Sequence, residues 1–391
     1  SIPEGLRDKC DPKLHCCKLN RRLHGLQVSA RAWNEELNDF LISLGFTRCI
    51  SDPCVYTLKH DLGEMILCVY VDDLIIGSSH DNELSKMIVD KISKKYGIKE
   101  YQPLDYVLGM EVIQQQNHIL LSQKSYIQRL LNKHNMDKCH GVCTPMNPNV
   151  QIDRDSDGEP ADETLYRSII GGLAYCMTCT RPDIAFAVSK LSRYLNKPTK
   201  NHLLAAQHLL RYLKHTQDYC LRFPKDACDN IDIWVDADLG GCNDTRRSTS
   251  GRIILYNGCP VTWKSKRQSV PAKSTAEAEY ISLSEAITDA IWLKNLADEM
   301  DFKVKDPQII HEDNQACIQI AENPVITQRS KGIDIKYHHA RHHVQSGKFK
   351  IVKAQSDDQL ADICTKALNP KKLTPHIDRL FSRSKANINP D

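Results

Sequence analysis

The sequence lacks the features of a membrane protein and of a secreted disulfide scaffold. No stretch stays apolar for long enough to cross a bilayer. No charged-then-apolar leader opens the chain. Its 16 cysteines are scattered along 391 residues without a dense framework, so reduced thiols in a cytosolic protein are the expected state.

No charge of one sign dominates the composition. The 52 Lys and Arg residues nearly balance the 49 Asp and Glu residues, and the net charge is +3, so composition alone does not identify a nucleic-acid binder. With 41% hydrophobic residues, the chain has material for sizeable cores, and its length predicts two or three domains. The opening Ser1-Ile2-Pro3 lacks an initiator methionine, which we interpret as an internal cut in a longer chain.

The first half contains a predicted hairpin and a predicted connection. Two apolar runs between Met65 and Ser79 flank Asp72 and Asp73, which predicts a hairpin with both carboxylates exposed at its tip. Residues 147–163 are polar and acidic and contain Pro and Gly, so we expect an exposed connection with a domain boundary within it. Residues 164–221 have a mostly helical pattern.

The pattern changes after residue 230. Three strand-like runs precede a long helical segment from about Thr275 to Met300. A strand, two helix-like segments, another strand and a final helix from Asp358 are predicted to follow. This order of elements predicts a mixed α/β domain.

Four acidic residues fall where this layout would bring them together: Asp236, Glu279, Asp313 and Asp362. Mg²⁺ or Mn²⁺ prefers carboxylate oxygens, and a pair of such ions stabilises the attacking and leaving oxygens during in-line hydrolysis of a phosphodiester. Four carboxylates without metal would repel one another. Each acid alone is more often a turn or cap residue, so the prediction depends on the surrounding motifs.

Four motifs surround these acids in order: VDADLGG (235–241), STAEAEY (274–280), EDNQA (312–316) and QLADICTK (359–366). Together they resemble the RNase H domain of copia-type retrotransposon Pol polyproteins. The resemblance implies an RNase H fold in which Asp236, Glu279, Asp313 and Asp362 bind two Mg²⁺ (or Mn²⁺) ions and cut the RNA strand of an RNA–DNA hybrid. The family pattern has Trp where this chain has Leu239.

The first half resembles the reverse transcriptase of the same polyproteins. Tyr70-Val71-Asp72-Asp73 looks like the polymerase signature, whose paired carboxylates hold Mg²⁺ for nucleotide addition. The segment LHGLQVSARAW, which contains Arg31, resembles the family segment beside the incoming nucleotide. The resemblance therefore implies that Tyr70, Val71 and Arg31 contact substrate, with an RNA template and a DNA primer as partners.

The polymerase site is expected to be incomplete. The family uses a third carboxylate in a strand that precedes the Pro-Glu-Gly motif, and this chain begins at that motif, Pro3-Glu4-Gly5. The expected fold class is therefore α+β or mixed α/β. It comprises a partial reverse-transcriptase palm with a helical connection, followed by an RNase H-like fold with a mixed five-stranded sheet. The predicted domains are 1–146 (truncated reverse transcriptase), 147–225 (linker and helical thumb or connection), 226–372 (RNase H-like) and 373–391 (C-terminal tail).

Two alternatives to an active enzyme stay open. The chain is then either a decayed or co-opted nucleic-acid binder without turnover, or a structural subunit that pairs with itself or with other Pol copies. The family leads us to expect cytoplasmic virus-like particles with a nuclear stage, and no membrane partner. The histidine run 338–343 is interpreted as a solvated or nucleic-acid-facing helix rather than a metal site.

Overall fold

The computed structural model describes residues 27–79, 83–97, 102–154, 158–225, 229–323 and 338–383. The chain divides into two compact units between Tyr101 and Gln102. The Pro3-Glu4-Gly5 motif and the beginning of the segment that contains Arg31 lie outside the described residues. The three domain boundaries expected from the sequence stay predictions.

The first unit is an antiparallel sheet with two helices packed against it. Its elements in chain order are α1 (Gln27–Ser43), β1 (Thr47–Arg48), β2 (Val55–His60), β3 (Gly63–Tyr70), β4 (Asp73–Ser78) and α2 (Glu83–Tyr96). The strands lie in the order β1-β2-β3-β4. Met65 and Leu67 alternate with more exposed positions along β3 and pack with Leu84 and Ile88 of α2. The predicted hairpin is confirmed.

The second unit begins with three strands and a helical segment. Its elements are β5 (Tyr106–Val107), β6 (Met110–Gln114), β7 (His118–Ser122), α3 (Lys124–Lys133), α4 (Glu163–Cys179), α5 (Ala185–Leu191), α6 (Lys200–His215) and β8 (Tyr219–Pro224). The strand β8 pairs antiparallel with β7. The mostly helical pattern expected for this part of the chain is confirmed.

A mixed sheet and three helices follow. The elements are β9 (Ile231–Ala237), β10 (Thr249–Tyr256), β11 (Cys259–Arg267), α7 (Thr275–Glu299), β12 (Gln308–Glu312), α8 (Gln315–Glu322), α9 (His338–Gln345) and β13 (Phe349–Lys353). The sheet order is β11-β10-β9-β12-β13. The first three strands are antiparallel, and β12 is parallel to both β9 and β13. This is the RNase H-like fold, and the predicted fold class is confirmed.

The C-terminal part differs from its prediction. Instead of one helix from Asp358, the chain makes two 3₁₀ turns, Ser356–Asp358 and Leu360–Cys364, before α10 (Pro370–Leu380) and β14 (Ser382–Arg383). The Asn369 side chain caps α10 by accepting a hydrogen bond from the Lys372 amide at 3.0 Å, and a proline at the first helical position fixes the start. The strand β14 pairs with β8.

The two faces of the mixed sheet belong to different cores. Ile233 and Val235 of β9 pack on the face covered by α7, α8 and α9. Trp234 points to the other face, where the connection helices and the segment 354–381 cover it. The RNase H-like sheet and the connection helices therefore share one core. None of the described helices combines the length and the apolar composition that a membrane span requires.

A buried ion pair joins the connection helices to the C-terminal segment. Arg181 is fully buried, and its Nε and Nη2 atoms donate to the Asp183 carboxylate at 3.0 and 2.7 Å. The guanidinium also donates to the Thr216 carbonyl at 3.1 Å, and the Tyr212 hydroxyl donates to Asp183 at 2.7 Å. The ring of Phe381 lies 5.7 Å away. Burial opposes the charge on Arg181, but Asp183 outweighs it and raises the pKa of the guanidinium.

We expect Arg181→Met to destabilise the chain by about 3–5 kcal/mol, because it leaves the Asp183 carboxylate buried without its cation. The free energy of unfolding would be measured by urea denaturation. Lys200→Ala is the control. Its ion pair with Glu159 has both side chains more than half exposed, so it should change stability by less than about 1 kcal/mol. Equal effects of the two substitutions on the free energy of unfolding would contradict the conclusion that Arg181 compensates the buried charge of Asp183.

Candidate metal centre

Three predicted acids meet at one edge of the mixed sheet. Asp236 lies near the end of β9, and Asp313 directly follows β12. Because β9 and β12 are parallel neighbours, their carboxyl ends lie at the same edge. Glu279 lies near the beginning of α7, whose start is fixed by the Ser274 hydroxyl, which accepts a hydrogen bond from the Glu277 amide at 3.2 Å.

The three carboxylates are close enough to share a cation. One oxygen each from Asp236, Glu279 and Asp313 lies within 4.8 Å of the other two. Over the described ranges, this is the one group of three or more such side chains that meets this distance. Asp236 is 2% exposed and Glu279 is 5% exposed. Hard oxygen donors at this spacing suit Mg²⁺ or Mn²⁺.

The electrostatics of the centre also fit a cation. Burial raises the pKa of Glu279 far above its usual range, and the nearby Glu312 and Asp236 raise it further. The Oε2 atom of Glu279 is buried and has no hydrogen-bond partner among the described residues. A buried oxygen without a donor loses the hydration it has in water. A divalent ion would supply the missing partner.

The fourth predicted acid, Asp362, lies beside this group rather than within it. The Nζ atom of Lys366 is 2.8 Å from Asp362 Oδ1 and 3.2 Å from Asp236 Oδ2, and the Thr365 hydroxyl donates to Asp236. Burial raises the pKa of Asp362, as does Asp236, while Lys366 lowers it. Lys366 therefore holds the two carboxylates together and compensates part of their charge.

A glycine lets the segment that carries Asp362 approach the sheet. Gly251 of β10 lies opposite Asp236 in the register of β9 and β10. A Cβ atom at Gly251 would lie 2.5 Å from Thr365 Cγ2 and 2.9 Å from Cys364 Cβ. Any side chain at this position would push the 3₁₀ turn, and with it Asp362, away from Asp236.

The polymerase-type acids lie in the first unit. Asp72 and Asp73 are exposed at the tip of the β3–β4 hairpin, and both line a cleft of about 470 Å³ together with Val71. Tyr70 is exposed at the same tip. The Arg31 guanidinium does not line this cleft and pairs instead with an exposed carboxylate one helical turn away.

The comparisons with known proteins identify the family. Residues 2–148 match the family model described as reverse transcriptase (RNA-dependent DNA polymerase). The retrovirus-related Pol polyprotein from transposon RE1 of Arabidopsis thaliana is 36% identical over 369 residues, which are 94% of this chain and 25% of that polyprotein. The transposon Ty5-1 protein YCL074W of Saccharomyces cerevisiae is 31% identical over 290 residues, which are 73% of this chain and 93% of that protein. The chain belongs to the copia-type retrotransposon Pol family.

This Pol chain spans about a quarter of the length of the RE1 polyprotein. Among solved structures, LC11-RNase H1 from a compost metagenome aligns with 39% of the Pol chain and 97% of its own, at 14% identity and a TM-score of 0.28. The RNase H-like assignment of the Pol chain rests on its own strand order.

Two residues of the candidate metal centre in the second unit were not identified from the sequence. Lys366 ends the QLADICTK motif, and its bridging role depends on tertiary contacts that no local pattern reveals. Glu312 precedes Asp313 and is fully buried. Burial raises its pKa, the amide of Asn314 opposes this, and Asp313 adds to it. The strand β12 alternates between buried and half-buried positions, and this alternation places Glu312 on the same side as the core residue Ile310.

The metal-free Pol chain is expected to lose stability as the pH rises. The pKa values of Glu279 and Glu312 are raised above their ordinary 4.5, so above that pH these two side chains bind more protons in the folded chain than in the unfolded chain. The free energy of unfolding therefore falls as the pH rises from about 4.5. Because bound Mg²⁺ would compensate the ionised carboxylates, its stabilising effect should grow over the same range.

Melting temperatures in EDTA and in Mg²⁺ would be compared between about pH 5 and about pH 8. We expect the gap between them to widen with pH in the wild type and to stay small in Asp236→Asn. A gap that is independent of pH would contradict the expected protonation of the centre.

Proposed function

We propose that the second unit is an RNase H that cleaves the RNA strand of an RNA–DNA hybrid. The observation that supports this most strongly is the gathering of Asp236, Glu279 and Asp313 at one edge of an RNase H-like sheet in a copia-type Pol chain. Two divalent ions, Mg²⁺ or Mn²⁺, would stabilise the attacking and leaving oxygens of the phosphodiester when bound there.

The side chains of the centre would act by holding charge in fixed positions. Asp236, Glu279 and Asp313 supply oxygen ligands from a strand, a capped helix and a strand end, so that their geometry is set before substrate binds. Asp362 is the proposed fourth carboxylate, and Lys366 holds it beside Asp236. Discrimination against DNA would come from contacts to the 2′-hydroxyls of the RNA strand.

For the first unit we propose reverse-transcriptase ancestry without polymerisation by this chain alone. Asp72 and Asp73 would be the remnant of the polymerase metal site, and Tyr70, Val71 and Arg31 would face an RNA template and a DNA primer. Asp72 and Asp73 are exposed, and in the part of the chain that the structure describes they belong to no group of three metal-ligating side chains. Two carboxylates leave the rest of the Mg²⁺ coordination shell to water and substrate phosphates, and no third carboxylate among the described residues would fix the ion.

Cleavage of a hybrid tests the RNase H proposal. With Mg²⁺, the intact chain should cut a labelled RNA strand paired with DNA and leave a labelled DNA strand intact. Asp236→Asn and Asp313→Asn should each reduce the rate by more than about a hundredfold, because loss of a ligand weakens a metal site at least as much as loss of an outer-shell partner. Strand-specific labels and denaturing gels give the rates.

The control is Asp357→Asn, which makes the same chemical change close to the Asp362 segment on a side chain that is 88% exposed. It should retain wild-type cleavage. Salt-sensitive binding of the hybrid by a folded chain that does not cleave it would instead favour the nucleic-acid binder. A mass that rises with protein concentration, again without cleavage, would favour the structural subunit.

Template-primed incorporation tests the first unit. We expect labelled nucleotide incorporation by the intact chain to equal that of the Asp72→Asn/Asp73→Asn double variant, which sets the background. The physical reason is that no third carboxylate among the described residues joins Asp72 and Asp73 to fix the position of Mg²⁺. Incorporation clearly above that background would refute the proposal that this chain does not polymerise.

A further inference from the structure

Glu312 is a buried acid that opens the EDNQA motif but does not belong to the proposed ligand set. It is the last residue of β12 and is fully buried. Its Oε1 atom accepts a hydrogen bond from the Asn314 amide at 2.9 Å. This bond closes the turn that contains Asp313, so Glu312 fixes the backbone from which a proposed ligand projects.

The other carboxylate oxygen of Glu312 has no strong donor. Its Oε2 atom is buried and accepts no hydrogen bond from a nitrogen or oxygen donor in the described ranges, and the neighbouring polar group is the thiol of Cys317, a weak donor. Glu279 Oε2 is in the same condition. Of the neighbouring charges that raise the pKa of Glu279, Glu312 has the largest effect. Two unpartnered buried oxygens therefore belong to adjacent acids.

A purely structural buried acid looks different in this same chain. Asp183 is 2% exposed, and it accepts hydrogen bonds from Arg181 and from the Tyr212 hydroxyl. Glu312 has no ion pair among the described residues, and the ammonium group of Lys366 is paired with Asp236 and Asp362. Burying an unpaired carboxylate costs stability, and no cationic side chain among the described residues compensates Glu312.

We propose that Glu312 is a positioning residue of the metal centre, which orients Asp313 through the Asn314 turn and adds negative charge behind Glu279. This inference rests on the proposed function. Glu312 strengthens the binding of a divalent cation at the expense of the metal-free fold. A structural residue would have the opposite relation to stability, because its removal would destabilise the chain with or without metal.

The test uses the full chain and Mn²⁺ as the probe. Glu312→Gln keeps the volume and the Oε1 acceptor but removes the charge. The Mn²⁺ dissociation constant, measured by titration with detection of free Mn²⁺ by electron paramagnetic resonance, should rise about 10–100-fold, as for outer-shell partners in other metal sites. The melting temperature in EDTA should stay equal or rise. Glu312→Asp, which keeps the charge, should bind Mn²⁺ more tightly than Glu312→Gln.

Two further variants separate this inference from the proposed function. Glu322→Gln makes the same chemical change at the exposed end of α8. It should change neither the Mn²⁺ dissociation constant nor the melting temperature in EDTA. Asp236→Asn removes a proposed ligand. Unchanged Mn²⁺ binding in that variant would refute the proposed metal centre as a whole. Weakened binding in Asp236→Asn with unchanged binding in Glu312→Gln would overturn only the role of Glu312. A Glu312→Gln chain that melts lower in EDTA, or fails to fold, would also overturn it, in favour of a structural role.

Discussion

The second unit depends on the buried ion pair between Arg181 and Asp183, which connects the helices α4 and α6 with the C-terminal segment. It ties the end of α4 to the end of α6 through Thr216, and the ring of Phe381 packs over the guanidinium after α10. The turn Pro182–Ile184 also contacts the 3₁₀ turn Leu360–Cys364, which carries Asp362. A buried pair of this kind is weak evidence of net stabilisation, but breaking it would displace elements from three parts of the chain.

The chain buries its acids in two distinct ways. Asp183 is neutralised by a dedicated cation and a hydroxyl donor, as expected of an acid that supports the fold. Glu279 and Glu312 are buried with one unpartnered oxygen each and with other carboxylates as neighbours, which costs stability in the absence of a cation. A bound cation would compensate these carboxylates, so its binding would be thermodynamically linked to the folding of this edge of the sheet.

The apolar pattern of the sequence was sufficient to predict those elements that depend only on residues close together in the chain. The alternation around Met65, the apolar run before Asp236 and the helical spacing after Thr275 predicted the hairpin, the strand and the long helix that the structure contains. The positions of Asp236 and Asp313 at strand ends, and of Glu279 near a helix start, were enough to predict that these three acids lie together. The 3₁₀ turn that carries Asp362 depends on close packing against Gly251, and the bridge made by Lys366 joins residues that are distant in sequence. Neither the turn nor the bridge produces a periodic pattern in the sequence. The predicted helix from Asp358 was therefore wrong for this segment.

The two sets of acids differ in what they cost the fold. Asp72 and Asp73 are exposed, so they remain hydrated without metal and impose little penalty on the first unit. The acids of the second unit are buried, and neutral replacements at such positions would stabilise the metal-free chain. If the centre bound no cation, the buried oxygens of Glu279 and Glu312 would lower stability without a compensating partner among the described residues. Their joint presence therefore supports retained cation binding in the second unit more strongly than the YVDD tetrapeptide supports it in the first. Each unit also has its own core, so a change in the acids of the first unit would leave the packing around the acids of the second unit intact.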